Sequence, residues 1–239
     1  MRESSTVSIV LPAYRAADQV RDVIPELIKE VEKVGARLEV IVVVNGPRDG
    51  TDEAAAELAA ADPCVRVLRA EEAGWGRAVQ TGLSAATGDL LAYTNLARTP
   101  PSVLRIAVAL AFDAEGSVVK ANRRVRDSAV RRVGSLFYNL ECRTLFDLSV
   151  FDVNGTPKVF PSELADLREL RRDDDMIDVE FLAICRARGY QVIEFGVPPL
   201  PRHSGRSTTN LGSAWRMYAG AFALRRELAR RGLMTDRSR

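Results

Sequence analysis

The chain has 239 residues, 46% hydrophobic and 28% charged, a composition that suits an ordinary globular fold with a sizeable core. Three scattered cysteines (Cys64, Cys142, Cys185) and a single histidine, His203, exclude a zinc ribbon, a disulfide scaffold and a multi-histidine metal site. Net charge is +2, yet residues 1–119 sum to −5 and residues 202–239 to +7, so the basic surplus sits in a tail that suits an anionic partner but lacks the aromatic interleaving of a nucleic-acid surface.

The first half alternates strand and helix signals. Val7–Leu11 is a short apolar run closed by Pro12, and Asp18 is placed to cap a helix whose apolar positions Val20, Val23, Ile24, Leu27, Ile28 and Val31 recur at helical spacing. Leu38–Val44 ends in an unbroken β-branched run, Val40–Val44, of the kind buried in a parallel sheet. Asn45 to Gly50 is dense turn chemistry, after which Thr51 is placed to cap an alanine-rich helix reaching about Ala61. Strands at Val65–Leu68, Leu90–Thr94 and Val118–Ala121 are separated by helices near Gly76–Ala86 and from Pro100-Pro101 to Phe112. This βα alternation predicts an α/β fold: a Rossmann-like, mostly parallel sheet flanked by helices, with ligands at the strands' C-terminal ends. Beyond it, residues 127–148 read as a helix and Asp152–Phe160 as a turn into a short strand. Asp178–Arg188 reads as a helix stopped by Gly189, and Tyr190–Val197 as a strand. Residues 201–212 read as a loop and Ser213–Arg231 as a C-terminal amphipathic helix.

The N-terminus has no long apolar run, and no stretch is apolar enough to span a membrane, so the expected location is the cytoplasm, either free or peripheral at the inner membrane face. Of the 34 basic residues 30 are arginines; the four lysines are Lys29, Lys33, Lys120 and Lys158. Arginine-favouring genome composition accounts for the ratio, whereas the placement of particular guanidinium forks bears on phosphate recognition. A dinucleotide site is not expected: Gly74-Trp75-Gly76 has only two glycines of the fingerprint and follows the third strand, and there is no P-loop.

Several segments, in consistent order from about residue 6 to residue 210, resemble family 2 glycosyltransferases. Val7–Tyr14 is similar to their opening strand, Val43–Thr51 to their V-D-D-G-S-x-D-G-T turn, and Gly74–Ala78 through Ala86–Asp89 to their G-x-G-x-A…A-x-G-D stretch. Asn154–Phe160, Arg186–Tyr190 and Arg202–Ser207 resemble the branch of dolichol- and polyprenyl-phosphate sugar synthases. The resemblance implies a GT-A fold over residues 1–212, with residues 213–239 as an appended basic helix and tail. It implies transfer of a sugar from a nucleotide diphosphate donor with inversion, usually with Mg²⁺ or Mn²⁺. Both aspartates of the family's D-x-D motif are missing where the chain reads Thr94-Asn95-Leu96, and no cofactor is assigned.

Arginines are therefore expected to replace the metal in neutralising the diphosphate. The expected donor-binding residues are Pro12, Tyr14, Asn45, Gly76, Thr94, Asn95, Arg98, Arg202, His203 and Arg206. Arg123 and Arg131 are expected to assist the reaction, and Arg131, Arg132, Asp152 and Asn154 to bind the acceptor. A phosphate acceptor such as a polyprenyl phosphate needs positive charge; a hydroxyl acceptor on a small molecule or glycan needs a base, for which Asp178 is best placed. The rival readings are a catalytically silent sugar-nucleotide-binding module and, more distantly, a nucleotidyltransferase. Residues 213–231 would pack on the domain, join a homodimer or lie on a membrane surface.

Overall fold

The computed structural model describes residues 4–123, 129–197 and 211–234. The first half runs β1 (Thr6–Ala13), α1 (Ala17–Glu32), β2 (Arg37–Asn45), α2 (Gly50–Ala61), β3 (Val65–Ala70), α3 (Trp75–Ala85), β4 (Leu90–Tyr93) and α4 (Pro101–Asp113). It continues with β5 (Val118–Arg123), α5 (Ala129–Phe146), β6 (Lys158–Pro161), α6 (Ile177–Arg188), β7 (Val192–Val197) and α7 (Leu211–Arg230). The sheet order is β3-β2-β1-β4-β6-β5-β7. Among the described strands only β6 runs antiparallel to its neighbours, so its first residue, Lys158, lies at the C-terminal edge of the parallel strands, opposite Tyr93 and Lys120.

Side-chain alternation along the strands sends alternate residues to two cores. Ile41 and Val43 of β2 join Tyr93 and Phe160 in a core beneath α3, α5, α6 and α7, while Val40, Val42 and Val44 face α1, α2 and α4. The same parity puts Lys120 and Lys158 on the α5–α6 side, where both are fully buried. α7 belongs to this body too. Ala221, Leu224 and Leu228 are buried in the first core, Arg225 donates to the Leu145 carbonyl, and Arg231 Nη1 lies 2.6 Å from Glu180 Oε1. Three apolar positions of its described part thus pack on the domain, while Phe222 is 53% exposed. No helix among the described residues is long and apolar enough to cross a membrane.

Two helix starts differ from the sequence expectation. α1 begins one residue before Asp18, with Ala16 at the cap position and its N–H donating 2.9 Å to Thr51 Oγ1. The residue capping α2 is Asp49, whose carboxylate accepts the Thr51 N–H at 2.9 Å. Thr51 is thereby released to tie the two helix starts together. The stop at Gly189 is as expected: its φ of 72° is left-handed, and its N–H closes on Cys185.

The opposite edge of the sheet is fastened by Glu39. Its carboxylate accepts from the Ser8 hydroxyl, from Arg66, and from the Thr87 N–H and hydroxyl at 2.9 and 3.1 Å. Burial pushes this carboxyl up, but those hydrogen bonds outweigh it and hold it below its ordinary value. A depressed folded-state value means the carboxylate stabilises the fold above the ordinary range of about 4.3 and loses that contribution as pH falls through the depressed value. Glu39→Gln is expected to cost about 1–3 kcal/mol at neutral pH. In urea unfolding at stepped pH the gap to the parent should close in acid, whereas a gap independent of pH contradicts the assignment.

Candidate functional site

β1 leads outward to β2 and β3 on one side and neighbours β4 on the other, so the crevice at the C-terminal ends of β1 and β4 is a topological switch point. The residues following β1, β2, β3 and β4 meet at this edge, as do the turn before β6 and the start of α6.

Arginine dominates the rim after β1 and β2. Tyr14 is 45% exposed and lies across Gly46, where an added Cβ would fall 2.5 Å from the tyrosine Cε2 and where φ is +100°. Only glycine allows both the turn and the close approach. Arg15, in the left-handed region at φ 47°, holds its guanidinium 5.6 Å from the Tyr14 ring centroid. Arg69 pairs with Asp52 and donates 2.8 Å to the Gly46 carbonyl. Arg48 and Arg98 are exposed. The Asp49 carboxyl is lowered first by its hydrogen bonds from Thr51 and further by Arg15 and Arg69. Arg15, Arg48 and Arg69 were not among the expected site residues, although their placement after or at the ends of the first three strands was open to the same argument as Arg98.

Three expected donor contacts are turned to structural use. Asn45 is buried: its amide donates to the Ala13 and Val43 carbonyls at 3.4 Å, and its Oδ1 accepts from the Gly74 N–H at 3.5 Å. Gly76 is covered by the chain itself, since an added Cβ would lie 2.3 Å from the Arg172 carbonyl oxygen. Thr94 is fully buried, and its hydroxyl donates 2.7 Å to Thr99. Asn95 closes the next turn, its Oδ1 accepting the Ala97 N–H at 3.0 Å, and Leu96 is buried in the core. Pro12 is half-buried at the end of β1.

This loop offers a hard divalent cation no carboxylate, and its hydroxyl and amide oxygens are engaged internally. The described residues after β4 therefore do not fit the metal that the resemblance implies.

Beneath the rim lies a buried polar cluster joining four elements. Asp178, at the first turn of α6, is 4% exposed. Its Oδ1 pairs with Lys158 of β6 and accepts the Tyr93 hydroxyl of β4 at 2.9 Å, while its Oδ2 accepts the Trp75 indole N–H of α3 at 3.2 Å. Burial, and then the adjacent Asp178 charge, push the Tyr93 phenol well above its ordinary value, so it remains a donor. Asp178, expected as a base, is thus engaged in this structure: its oxygens meet three protein donors. Lys158, Tyr93 and Trp75 were not among the expected residues; the register of β6 on β4, invisible in the sequence, sets Lys158 opposite Tyr93, and α3 brings Trp75 to the same carboxylate.

On β5, Lys120 Nζ lies 2.7 Å from Glu194 Oε1 and donates to the Asp152 carbonyl at 2.6 Å. Burial lowers this lysine, opposed by the Glu194 charge. Glu194 also accepts the Phe151 and Asp152 N–H groups at 2.8 and 3.0 Å, and Asn139 of α5 accepts the Val153 N–H at 2.8 Å. Asp152 is buried and Asn154 half-buried in a turn thus clamped to β5, β7 and α5. Arg123 ends β5, its backbone in register with Val197, and Arg131 and Arg132 lie in the first turn of α5. The side chains of these three arginines lie outside the described residues, as do Arg202, His203 and Arg206 entirely.

Known proteins agree with this architecture. A family model for glycosyl transferase family 2 matches residues 8–143, more than half of the chain. Glycosyltransferase AglD of Haloferax volcanii is 30% identical over 207 residues, covering 82% of this chain and 33% of the relative. Undecaprenyl-phosphate 4-deoxy-4-formamido-L-arabinose transferase of Shewanella sediminis is 28% identical over 137 residues, covering 56% and 41% respectively. The chain thus spans well under half the length of these relatives. Glucosyl-3-phosphoglycerate synthase from Mycobacterium tuberculosis, solved with Mn²⁺, UDP and glucosyl-3-phosphoglycerate, superposes with a TM-score of 0.70 at 19% identity, covering 92% of this chain and 80% of that one, a likeness of fold. With its mostly parallel seven-stranded sheet and these neighbours, the architecture is a GT-A fold. The chain belongs to glycosyl transferase family 2.

Proposed function

We propose that the protein transfers a sugar, with inversion, from a nucleotide diphosphate donor to a phosphate acceptor of the polyprenyl-phosphate type, and that guanidinium groups rather than a divalent cation hold the donor diphosphate. The observation that carries this reading is the contrast at the switch point. The loop after β4 presents no carboxylate, whereas Arg15, Arg48 and Arg98 are exposed on the loops around it. Relatives named as undecaprenyl-phosphate transferases support the acceptor class.

The chemistry follows from charge. A phosphate monoester is largely ionised near neutrality, its second pKa being about 6. One of its oxygens attacks the anomeric carbon as the bond from that carbon to the diphosphate oxygen breaks. No proton need be removed from the nucleophile, which agrees with Asp178 being sealed beneath the surface. Charge grows on the departing diphosphate, and fixed guanidinium donors stabilise it in the transition state. Arg123 and Arg206, with Arg98, Arg202 and His203, are assigned to that side. Arg131 and Arg132 are assigned to the acceptor phosphate, with the clamped turn bearing Asp152 and Asn154 as its wall.

The test is transfer of labelled hexose from UDP- and GDP-sugars to undecaprenyl phosphate in detergent micelles, beside undecaprenol carrying the same tail. The phosphate should be glycosylated and the alcohol left unchanged. Product on the alcohol alone would favour a hydroxyl acceptor. Donor binding without any product would favour a silent sugar-nucleotide-binding module.

A further inference from the structure

We infer that Trp75 presents its indole to the sugar of the donor, and that Asp178 is the positioning residue that fixes the plane of that ring. The inference rests on the donor reading above. Trp75 is the first residue of α3, and the N–H of the preceding Gly74 meets Asn45 at the end of β2. Its ring packs edge-on to Tyr93 at the end of β4, with centroids 6.3 Å apart. The half-buried indole therefore reaches from the end of β2 toward the end of β4, across the edge where a nucleotide sugar would extend from its base toward the acceptor.

The ring is held on each side. Gly74 and Gly76 pass under the 172–174 backbone so closely that an added Cβ at either would lie within 3 Å of a carbonyl oxygen there. The Arg77 N–H donates 3.0 Å to the Asp173 carbonyl, which anchors the first turn of α3. The indole N–H is fixed by Asp178, whose other oxygen is occupied by Lys158 and Tyr93. Burying an ion pair costs desolvation, and a neutral apolar pair would fill the same space more cheaply. What this pair supplies that an apolar pair cannot is an oriented acceptor for the indole. A fixed aromatic face suits the apolar C–H face of a pyranose, whose hydroxyls lie around its edge, and leaves the diphosphate to the arginines.

The chain has two tryptophans, Trp75 and Trp215, so Trp215→Phe leaves Trp75 as the only indole reporter. Emission of that variant is titrated with UDP-glucose and GDP-mannose, and with UDP and GDP alone, while calorimetry follows binding of all four. A sugar nucleotide that binds should change the emission, and its sugar-free nucleotide should change it little. Trp75→Ala should bind the nucleoside diphosphate as the parent does, yet lose about tenfold in affinity for the sugar nucleotide. Trp75→Phe should recover part of that loss. Asp178→Asn, checked for a native circular dichroism spectrum, should raise the donor KM more than it lowers kcat and broaden the Trp75 emission. Equal responses to sugar nucleotide and nucleotide, or equal affinities in Trp75→Ala, would overturn the inference while leaving the donor reading intact. No calorimetric binding of any of the four would overturn the donor reading, and this inference with it.

Discussion

Lys158→Met is expected to lower the free energy of unfolding by about 3–5 kcal/mol, a large fraction of the roughly 5–15 kcal/mol that holds a typical domain together. The reason is the asymmetry of buried charge. Lys158 is fully buried and the Asp178 side chain is 6% exposed, so removing the ammonium leaves a carboxylate with no counter-charge and little water. Two hydrogen bonds, from Tyr93 and Trp75, remain but do not cancel the charge. The double variant Lys158→Met/Asp178→Asn removes both charges and leaves one acceptor oxygen for the two donors, so it should regain about half of the loss. Urea unfolding of the four species of this cycle measures the coupling directly. A single-variant loss below about 1 kcal/mol, of the size seen for exposed pairs, would show that water reaches the cluster.

Arg123→Ala is expected to reduce turnover by about 10²–10³-fold, the scale of losing one preorganised donor to developing charge. Arg123 is the last residue of β5, one strand beyond β6 in the sheet, and its backbone is fixed by pairing with β7. A residue whose backbone is fixed by sheet pairing is a better platform for a preorganised donor than one on a free loop, which is why Arg123 is proposed for the transition-state role. Arg123→Lys should recover little, because a point charge does not reproduce the fork. Native circular dichroism would separate this loss from misfolding. Turnover within threefold of the parent would remove Arg123 from the site.

Most of the fold is legible in the residues because local pattern and tertiary environment agree. The β-branched run of β2 can only be a buried strand, and the spacing from Val20 to Val31 can only be satisfied by one helix face against a core. The caps of α1 and α2 are less legible: Asp18 and Thr51 have capping chemistry, but the contact between Ala16 and Thr51 is tertiary and sets the boundaries instead. β6 is legible as a short strand but not as the antiparallel insertion between β4 and β5, since four residues after a turn specify no partner.

The site divides the same way. Exposed side chains such as Tyr14 and Arg98 can be placed from motif order alone. Asn45, Gly76 and Thr94 have the right motif positions but serve the protein's own backbone and hydroxyls, which no spacing reveals. The cluster of Trp75, Tyr93, Lys158 and Asp178 is illegible because its indole and carboxylate are 103 residues apart. One signal was available: in Val118-Val119-Lys120 and Lys158-Val159-Phe160, lysines sit inside strands flanked by core residues on both sides of the sheet. Two of the chain's four lysines in such positions already point to buried ion pairs.

The central claim is that the diphosphate is held by guanidinium groups without a divalent cation. The most direct measurement is calorimetric titration of the protein with UDP and GDP and their hexose derivatives, once in excess EDTA and once in millimolar Mn²⁺. The account predicts binding in EDTA with affinity within about threefold of that in Mn²⁺, weakened about tenfold or more in Arg123→Ala. Binding that appears only with Mn²⁺ and is indifferent to Arg123→Ala would contradict it.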